Sequence, residues 1–102
     1  MLLVLTALPD RKSAQKLAAS LVDKKLAACV SVLDGASSVY RWKGKVESSR
    51  ESLLLIKTTR AAWKKVEAFV LGRHPYELPE LIALPVTAGS KKYLGWIGKN
   101  VE

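Results

Sequence analysis

Residues 37–58 read SSVYRWKGKVESSRESLLLIKT, and this stretch decides the fold. Lys43-Gly44, near its centre, predicts a two-residue hairpin turn because glycine tolerates a positive φ. The strand before the turn begins near Ala28 and is interrupted at Gly35, which is typical of a β-bulge. The strand after the turn, Lys45–Thr58, starts polar and ends in an apolar run of Leu and Ile.

The length of this hairpin has a consequence for assembly. The second strand, Lys45–Thr58, would span about 46 Å when extended, which is well beyond a usual strand. The hairpin therefore projects past its own sheet and leaves backbone hydrogen-bonding groups unpaired in a monomer. Pairing with another subunit is the simplest remedy, so the sequence predicts an oligomer.

The segments around the hairpin predict two helices and a central strand. Leu2–Leu8 is a near-continuous apolar run, as in a strand that is covered on both faces. Asp10 can cap a helix over residues 11–25, whose apolar residues recur at helical spacing. Thr59 can cap a second helix, which ends before Pro75.

The rest of the chain completes the predicted topology. Residues 81–86 form a fourth strand, and Pro85 places its end at an edge or bulge because proline has no N–H donor. A short C-terminal helix or an irregular strand follows, in which these side chains have helical spacing: Tyr93, Leu94, Trp96 and Ile97. The order β-α-β-β-α-β predicts an α+β, ferredoxin-like sandwich in a single domain, residues 1–102. The first and third strands are apolar on both sides, so a neighbouring subunit is expected to cover the sheet face that the helices leave open.

Composition limits the classes of function. The 102 residues include 17 Lys+Arg and 9 Asp+Glu, for a net charge of +8, spread evenly over both halves of the chain. Such a charge permits anion binding, although a well-solvated basic surface is the simpler interpretation. There is no apolar run of about 18 residues, so we expect no membrane association. Cys29 is the only cysteine, which agrees with a reducing compartment, and we expect a cytoplasmic protein.

Few residues could carry chemistry. There is no combination of nucleophile, base and orienting group, and no phosphate-binding glycine loop, so we expect no catalysis. The candidate metal ligands are His74, Glu77, Glu80 and Cys29, too few in one chain unless a symmetric oligomer combines several copies. The alternative for His74 is an imidazole that is hydrogen-bonded within a turn. The alternative for Glu77 and Glu80 is hydrogen bonding to backbone donors or pairing with a basic side chain.

The aromatic residues admit two interpretations. RNA-binding ferredoxin-like domains stack bases on exposed strand aromatics, but the sequence string typical of that class is absent, so we do not expect nucleic acid binding. Packing between subunits is favoured for the aromatic side chains: Tyr40, Trp42, Tyr76, Tyr93 and Trp96.

Several strings together resemble one family. They are LAACV (26–30), SVYRWKGK (38–45), LIKTT (55–59), HPYELPE (74–80) and YLGWI (93–97), in this order along nearly the whole chain. The chain resembles CutA, the divalent-cation tolerance family. The resemblance implies a tight homotrimer whose long hairpins complete one another's sheets. It also implies an architecture similar to that of the trimeric PII signal proteins. No catalytic activity is established for the family that the chain resembles, and bacterial members of that family are linked with tolerance to copper and other divalent cations.

The resemblance also implies a ligand site in clefts between subunits. Copper-binding members of the family use a Cys on the first strand and a His-His pair before Pro-Tyr, and this chain has Thr6, Arg73 and His74 at those positions. The loss of the thiolate weakens any preference for copper, so this chain binds metal loosely, uses other groups, or does not bind it. If it binds a divalent cation such as copper, His74 is the expected metal ligand. The other expected cleft residues are Lys57, Tyr76 and Glu77, with aromatic walls from Tyr40, Trp42 and Trp96. One alternative is a sensor of a small anion or nucleotide that uses Lys57, Arg73 and Lys91; another is a scaffold that docks a partner protein.

Overall fold

A computed structural model describes all of residues 1–102 and contains one four-stranded antiparallel sheet with three helices. The elements are β1 (Leu2–Leu8), α1 (Arg11–Asp23), β2 (Cys29–Trp42), β3 (Lys45–Thr58), α2 (Trp63–Arg73), β4 (Leu81–Pro85) and α3 (Lys91–Lys99). The strand order β2-β3-β1-β4 confirms the α+β, ferredoxin-like prediction. Of the two alternatives for the C-terminal segment, the helix is the one that forms. None of the helices has the length and apolar content needed to cross a lipid bilayer.

The ends of the helices follow local side-chain chemistry. Asp10 caps α1, because its carboxylate accepts a hydrogen bond from the Ser13 backbone N–H at 2.7 Å. The helix ends at Asp23, two residues before the predicted end, and Lys25 then turns the chain with a φ of 59°. Thr59 accepts from the Ala62 N–H at 3.2 Å, so it caps the turn that leads into α2.

The core lies between the sheet and the first two helices. Alternate residues of the two central strands, such as Val4 and Ile56, are fully buried against Leu21 of α1 and Val66 of α2. This period of two is what a strand with one face on the core requires. The burial of these side chains fixes which face of each strand is turned toward the helices.

The opposite face of the sheet, here called the open face, is also apolar. Its half-buried or exposed side chains come from all four strands: Leu3, Leu5, Leu33, Leu53, Leu55, Ile82 and Leu84. The paired residues Leu5 and Leu55 lie at its centre. A contiguous apolar face of this kind is unusual for the surface of a monomer and marks an interaction surface.

The hairpin has the predicted turn and bulge. Lys43 and Gly44 both have positive φ, 50° and 81°, as a two-residue type I′ turn requires. Gly35 has a φ of 75° within an irregularity between Leu33 and Ala36. The strands continue beyond the rest of the sheet, and the molecule is 44 Å long but only 25 Å and 23 Å in its other dimensions.

A side-chain hydrogen bond supports the bulge. The Ser52 hydroxyl, which is fully buried, donates to Asp34 Oδ1 at 2.7 Å. This hydrogen bond is the main reason that the pKa of Asp34 lies below its ordinary value. The bond therefore ties β2 to β3 at the position where the hairpin leaves the sheet.

Candidate functional site

The largest concave surface lies between the outer half of the hairpin and the segment that follows α2. It is an open cleft of about 1180 Å³. One wall is the hairpin and the other is the segment 75–82, with Ala7 of β1 between them. The lining residues are Ala7, Ser38, Val39, Tyr40, Arg41, Trp42, Glu47, Glu51, Pro75, Tyr76, Glu77, Leu78, Pro79, Glu80, Leu81 and Ile82.

The bulge at Gly35 decides which hairpin side chains belong to this cleft. Before the bulge Leu33 pairs with Leu53, and after it Ala36 pairs with Glu51, so β2 contains one extra residue. An extra residue reverses the alternation of side chains in the rest of the strand. The even-numbered residues Tyr40 and Trp42 are therefore turned to the same side as the open face, and the cleft is continuous with that face.

His74 holds the segment 75–82 in place. Its Nδ1 accepts a hydrogen bond from the Tyr76 backbone N–H at 3.1 Å, and its Nε2 lies 2.8 Å from the Ala7 carbonyl oxygen. Because a carbonyl can only accept, Nε2 must bear the proton, which gives the neutral tautomer with a bare Nδ1. Both ring nitrogens are therefore engaged with backbone groups.

Two further hydrogen bonds fix the same segment. The Thr6 hydroxyl is fully buried and donates to the Glu80 carbonyl oxygen at 2.7 Å. The Tyr76 hydroxyl donates to Glu51 Oε2 at 2.8 Å, which joins the two walls of the cleft. Burial, together with the bond to Glu51, raises the pKa of the Tyr76 phenol far above its ordinary value. The phenol thus remains a donor at any physiological pH.

The cleft is acidic although the chain is basic. Four carboxylates line it, those of Glu47, Glu51, Glu77 and Glu80, and the only lining cation is Arg41. Charges of one sign in a cleft raise the local concentration of counter-ions. The lining thus favours a positively charged ligand. Glu47 and Glu51 were not predicted from the sequence, although their position opposite the aromatic strand of the hairpin was a signal that could have found them.

The structure brings together some of the predicted site residues and separates others. Tyr40, Trp42, Tyr76 and Glu77 line the cleft, and the His74 ring lies beside that of Tyr76, with 4.8 Å between ring centroids. Trp96 is on α3, outside the cleft of its own protomer.

Lys57 is also remote from the cleft in the protomer. It lies on the open face, where its ammonium group donates to Ser31 Oγ and approaches Cys29 Sγ at 3.7 Å. It is six positions along β3 from Glu51, a distance of about 20 Å in an extended strand. Arg73, one of the other cations of the predicted anion site, is at the opposite end of the sheet and places its guanidinium 3.7 Å from the centroid of the Phe69 ring.

The positions that the family resemblance assigns to copper do not fit copper in this protomer. Thr6 lacks a thiolate, Arg73 is a cation, and His74 could bind a metal only by giving up one of its hydrogen bonds. No group of three or more His, Cys, Asp or Glu side chains lies close enough together to hold a metal ion. Any cation site within the cleft would depend on its carboxylates and on a neighbouring copy.

Comparisons with known proteins agree on one family. A family model described as "CutA1 divalent ion tolerance protein" matches residues 2–100. "Protein CutA, chloroplastic" of Arabidopsis thaliana is 47% identical over 101 residues, which are 99% of this chain but only 56% of that protein. "Divalent-cation tolerance protein CutA" of Thermus thermophilus is 43% identical over 97 residues, which are 95% of this chain and 94% of that protein.

A solved structure gives the same result for the fold. "Divalent cation tolerance protein (Cut A1)" from Thermus thermophilus superposes with a TM-score of 0.96 at 42% sequence identity, covering 100% of both chains. Identity at this level over the full length exceeds what a shared fold alone would produce. The chain belongs to the CutA1 divalent ion tolerance family.

Proposed function

We propose that this protein is a cytoplasmic, non-catalytic homotrimer of divalent-cation tolerance, which binds a divalent cation such as copper, or another small ligand, in clefts between its subunits. Family membership supports the role in tolerance. The assembly is supported by the open face and by the outer half of the hairpin, whose strand edges have no partner in the protomer. A neighbouring copy could cover the open face and could also pair with the free strand edges of the hairpin.

The single observation that carries the binding proposal is the sign of charge in the cleft. Four carboxylates face one guanidinium there, in a chain whose net charge is +8. The rest of the chain therefore concentrates anions, while this surface attracts cations. Oxygen donors suit hard and borderline divalent cations better than copper(I), which prefers thiolates and thioethers.

His74 has a conditional place in this proposal. It is the only imidazole of the chain, and both of its nitrogens stabilise the segment that carries Glu77 and Glu80. As a metal ligand it would have to release Ala7 or the Tyr76 N–H. We therefore assign the first contact with a cation to the carboxylates and regard His74 as a ligand that follows only if the segment opens.

The anion-sensor alternative has less support. Lys57 and Arg73 lie at opposite ends of the sheet in the protomer, and the cleft between hairpin and segment is acidic. An anion site would have to be formed from different subunits, away from this cleft.

Isothermal titration of the purified protein with Cu²⁺, Zn²⁺ and Mn²⁺ tests the proposal. The double variant Glu77→Gln/Glu80→Gln should bind the preferred cation about tenfold more weakly, or about 1.4 kcal/mol, because two of the attracting charges are lost. The matched control, Glu67→Gln/Glu102→Gln, removes two carboxylates outside the cleft and should bind as the wild type does. Absence of binding heat in the wild type, or equal affinities for both double variants, would refute the cation site.

A further inference from the structure

We propose that the helical side of the molecule, opposite the open face, binds double-stranded nucleic acid through its phosphate backbone without reading its bases. This side, here called the helical surface, consists of α1 and α2 with their flanking turns, residues 10–25 and 59–73. Such binding is separate from the cation site of the cleft. It also differs from base stacking on strand aromatics, the mode of nucleic acid binding that the sequence argued against.

Most of the net charge of the chain lies on the helical surface. Residues 10–25 and 59–73 contain nine of the 17 basic side chains but only three of the nine acidic ones, a net charge of +6 out of +8. The nine cations are six lysines and three arginines, and all of them are exposed. The helices therefore form the basic side of a polarised molecule whose cleft is acidic, and a basic side of this kind attracts polyanions.

Most of these cations are not neutralised within the protein. The ion pairs of the chain are Lys25 with Glu102 at 3.4 Å and Lys64 with Glu67 at 3.8 Å. The other seven cations of the helical surface have no carboxylate within 4 Å. Their charge is therefore available to an external partner.

All three arginines of the helical surface are among the seven unpaired cations. Arg73 has two partners, the Phe69 ring at 3.7 Å and the Phe69 carbonyl oxygen at 3.5 Å, and neither has a negative charge. Arg11 and Arg60 are likewise exposed and without a carboxylate partner. A guanidinium presents a planar fork of N–H donors that matches two phosphate oxygens at once. The unpaired guanidinium groups thus favour a partner that contains phosphate.

The helical surface offers charge without exposed aromatic rings, which favours a duplex. The exposed aromatic side chains, Tyr40, Tyr93 and Trp96, lie on the hairpin and on α3. Single-stranded nucleic acids are bound largely by stacking on such rings, and helices that lie on membranes bury an apolar face in the lipid. The large apolar side chains exposed on the helical surface are only Val22 and Leu71, one on each helix. A duplex keeps its bases stacked inside and its phosphates outside, so it is the polyanion that fits.

The size of the surface allows several phosphate contacts. Helix α1 has 13 residues and is about 20 Å long, a length over which a DNA duplex carries about 12 phosphate charges. Lys12 and Lys16 are four residues apart, so they are neighbours on one exposed face of this helix. In the proposed assembly the copies meet at the open face, so the helical surface on the other side of the sheet stays accessible.

Fluorescence anisotropy of a short labelled DNA duplex of mixed sequence, titrated with the purified protein, tests this proposal. Lys12→Glu/Lys16→Glu reverses two charges on the helical surface. The matched control, Lys91→Glu/Lys92→Glu, reverses two exposed charges on α3. The net charge falls from +8 to +4 in both variants, so they differ only in where the charge is changed. The corresponding Gln pairs replace them if circular dichroism shows that a Glu pair does not fold.

The wild type should bind the duplex, with an affinity that falls about 10³-fold between about 50 mM and 200 mM salt, as expected for about six phosphate contacts. Lys12→Glu/Lys16→Glu should bind about tenfold more weakly than its control, because two attractive charges become repulsive. Equal affinities of the two double variants would show that binding follows net charge alone and would overturn the assignment to the helical surface. Absence of duplex binding by the wild type, or tighter binding to phosphatidylserine vesicles, would overturn the proposal, and neither result bears on the metal titration of the cleft.

Discussion

At the scale of single residues, His74 shows how one side chain positions a wall of the cleft. Replacing it with Ala removes two hydrogen bonds and should lower the free energy of unfolding by about 1–3 kcal/mol. His74→Asn can retain an acceptor for the Tyr76 N–H, and His74→Gln can retain a donor to Ala7, so both should lie between Ala and wild type. Urea denaturation at one fixed protein concentration measures the series. An Ala variant as stable as the wild type would show that neither bond contributes.

The sequence could not decide between the two roles of His74, for a physical reason. Both of its partners are backbone groups, and one of them, Ala7, is 67 residues away in the chain. Every residue has a carbonyl oxygen, so such a partner has no sequence signature. Thr6 is similar, because its hydroxyl bonds the carbonyl of Glu80. The identity of these residues was therefore informative about chemistry but not about which bonds they form.

At the scale of secondary structure elements, the hairpin turn depends on backbone conformation. Gly44 has a φ of 81°, and an added Cβ would meet no atom within 4 Å. Gly44→Ala should therefore destabilise the protein through backbone strain alone, by about 1–2 kcal/mol. Gly72→Ala is the matched control, because it also meets no atom but lies inside α2, where Ala should stabilise by roughly 0.5–1 kcal/mol. Thermal unfolding of both variants tests this opposition in sign, and a shift in the same direction would contradict it.

The same elements show what could be predicted from the sequence and what could not. The turn at Lys43-Gly44 and the bulge at Gly35 were predictable, because positive φ restricts residue type. The sequence pattern contained no signal for where Lys57 lies in the protomer, and its assignment to a cleft between subunits, which came with the resemblance, stays a prediction. In the structure, strand register puts Lys57 opposite Cys29 and Leu3, far from Glu51. The sequence of a strand specifies which side chains share a face of the sheet. The distance between residues on different strands also depends on the register in which the strands pair.

At the scale of the whole molecule, the open face should control assembly separately from folding. Leu5 pairs with Leu55 and Ile82 at its centre, whereas Leu71 is exposed on α2, on the other side of the sheet. Leu5→Glu would bury a charge in any contact between open faces, which is strongly unfavourable. We therefore expect this variant to be a monomer, which sedimentation velocity would detect as particles of 11.2 kDa. Leu71→Glu introduces the same charge on the helical side and should leave the oligomer unchanged. Circular dichroism must show that both variants keep their helices, and Leu5→Ser provides a milder replacement if Leu5→Glu does not fold. If folded Leu5 variants retain the mass of the wild-type oligomer, the open face is not where copies meet, and the proposed assembly would have to rest on the hairpin edges alone.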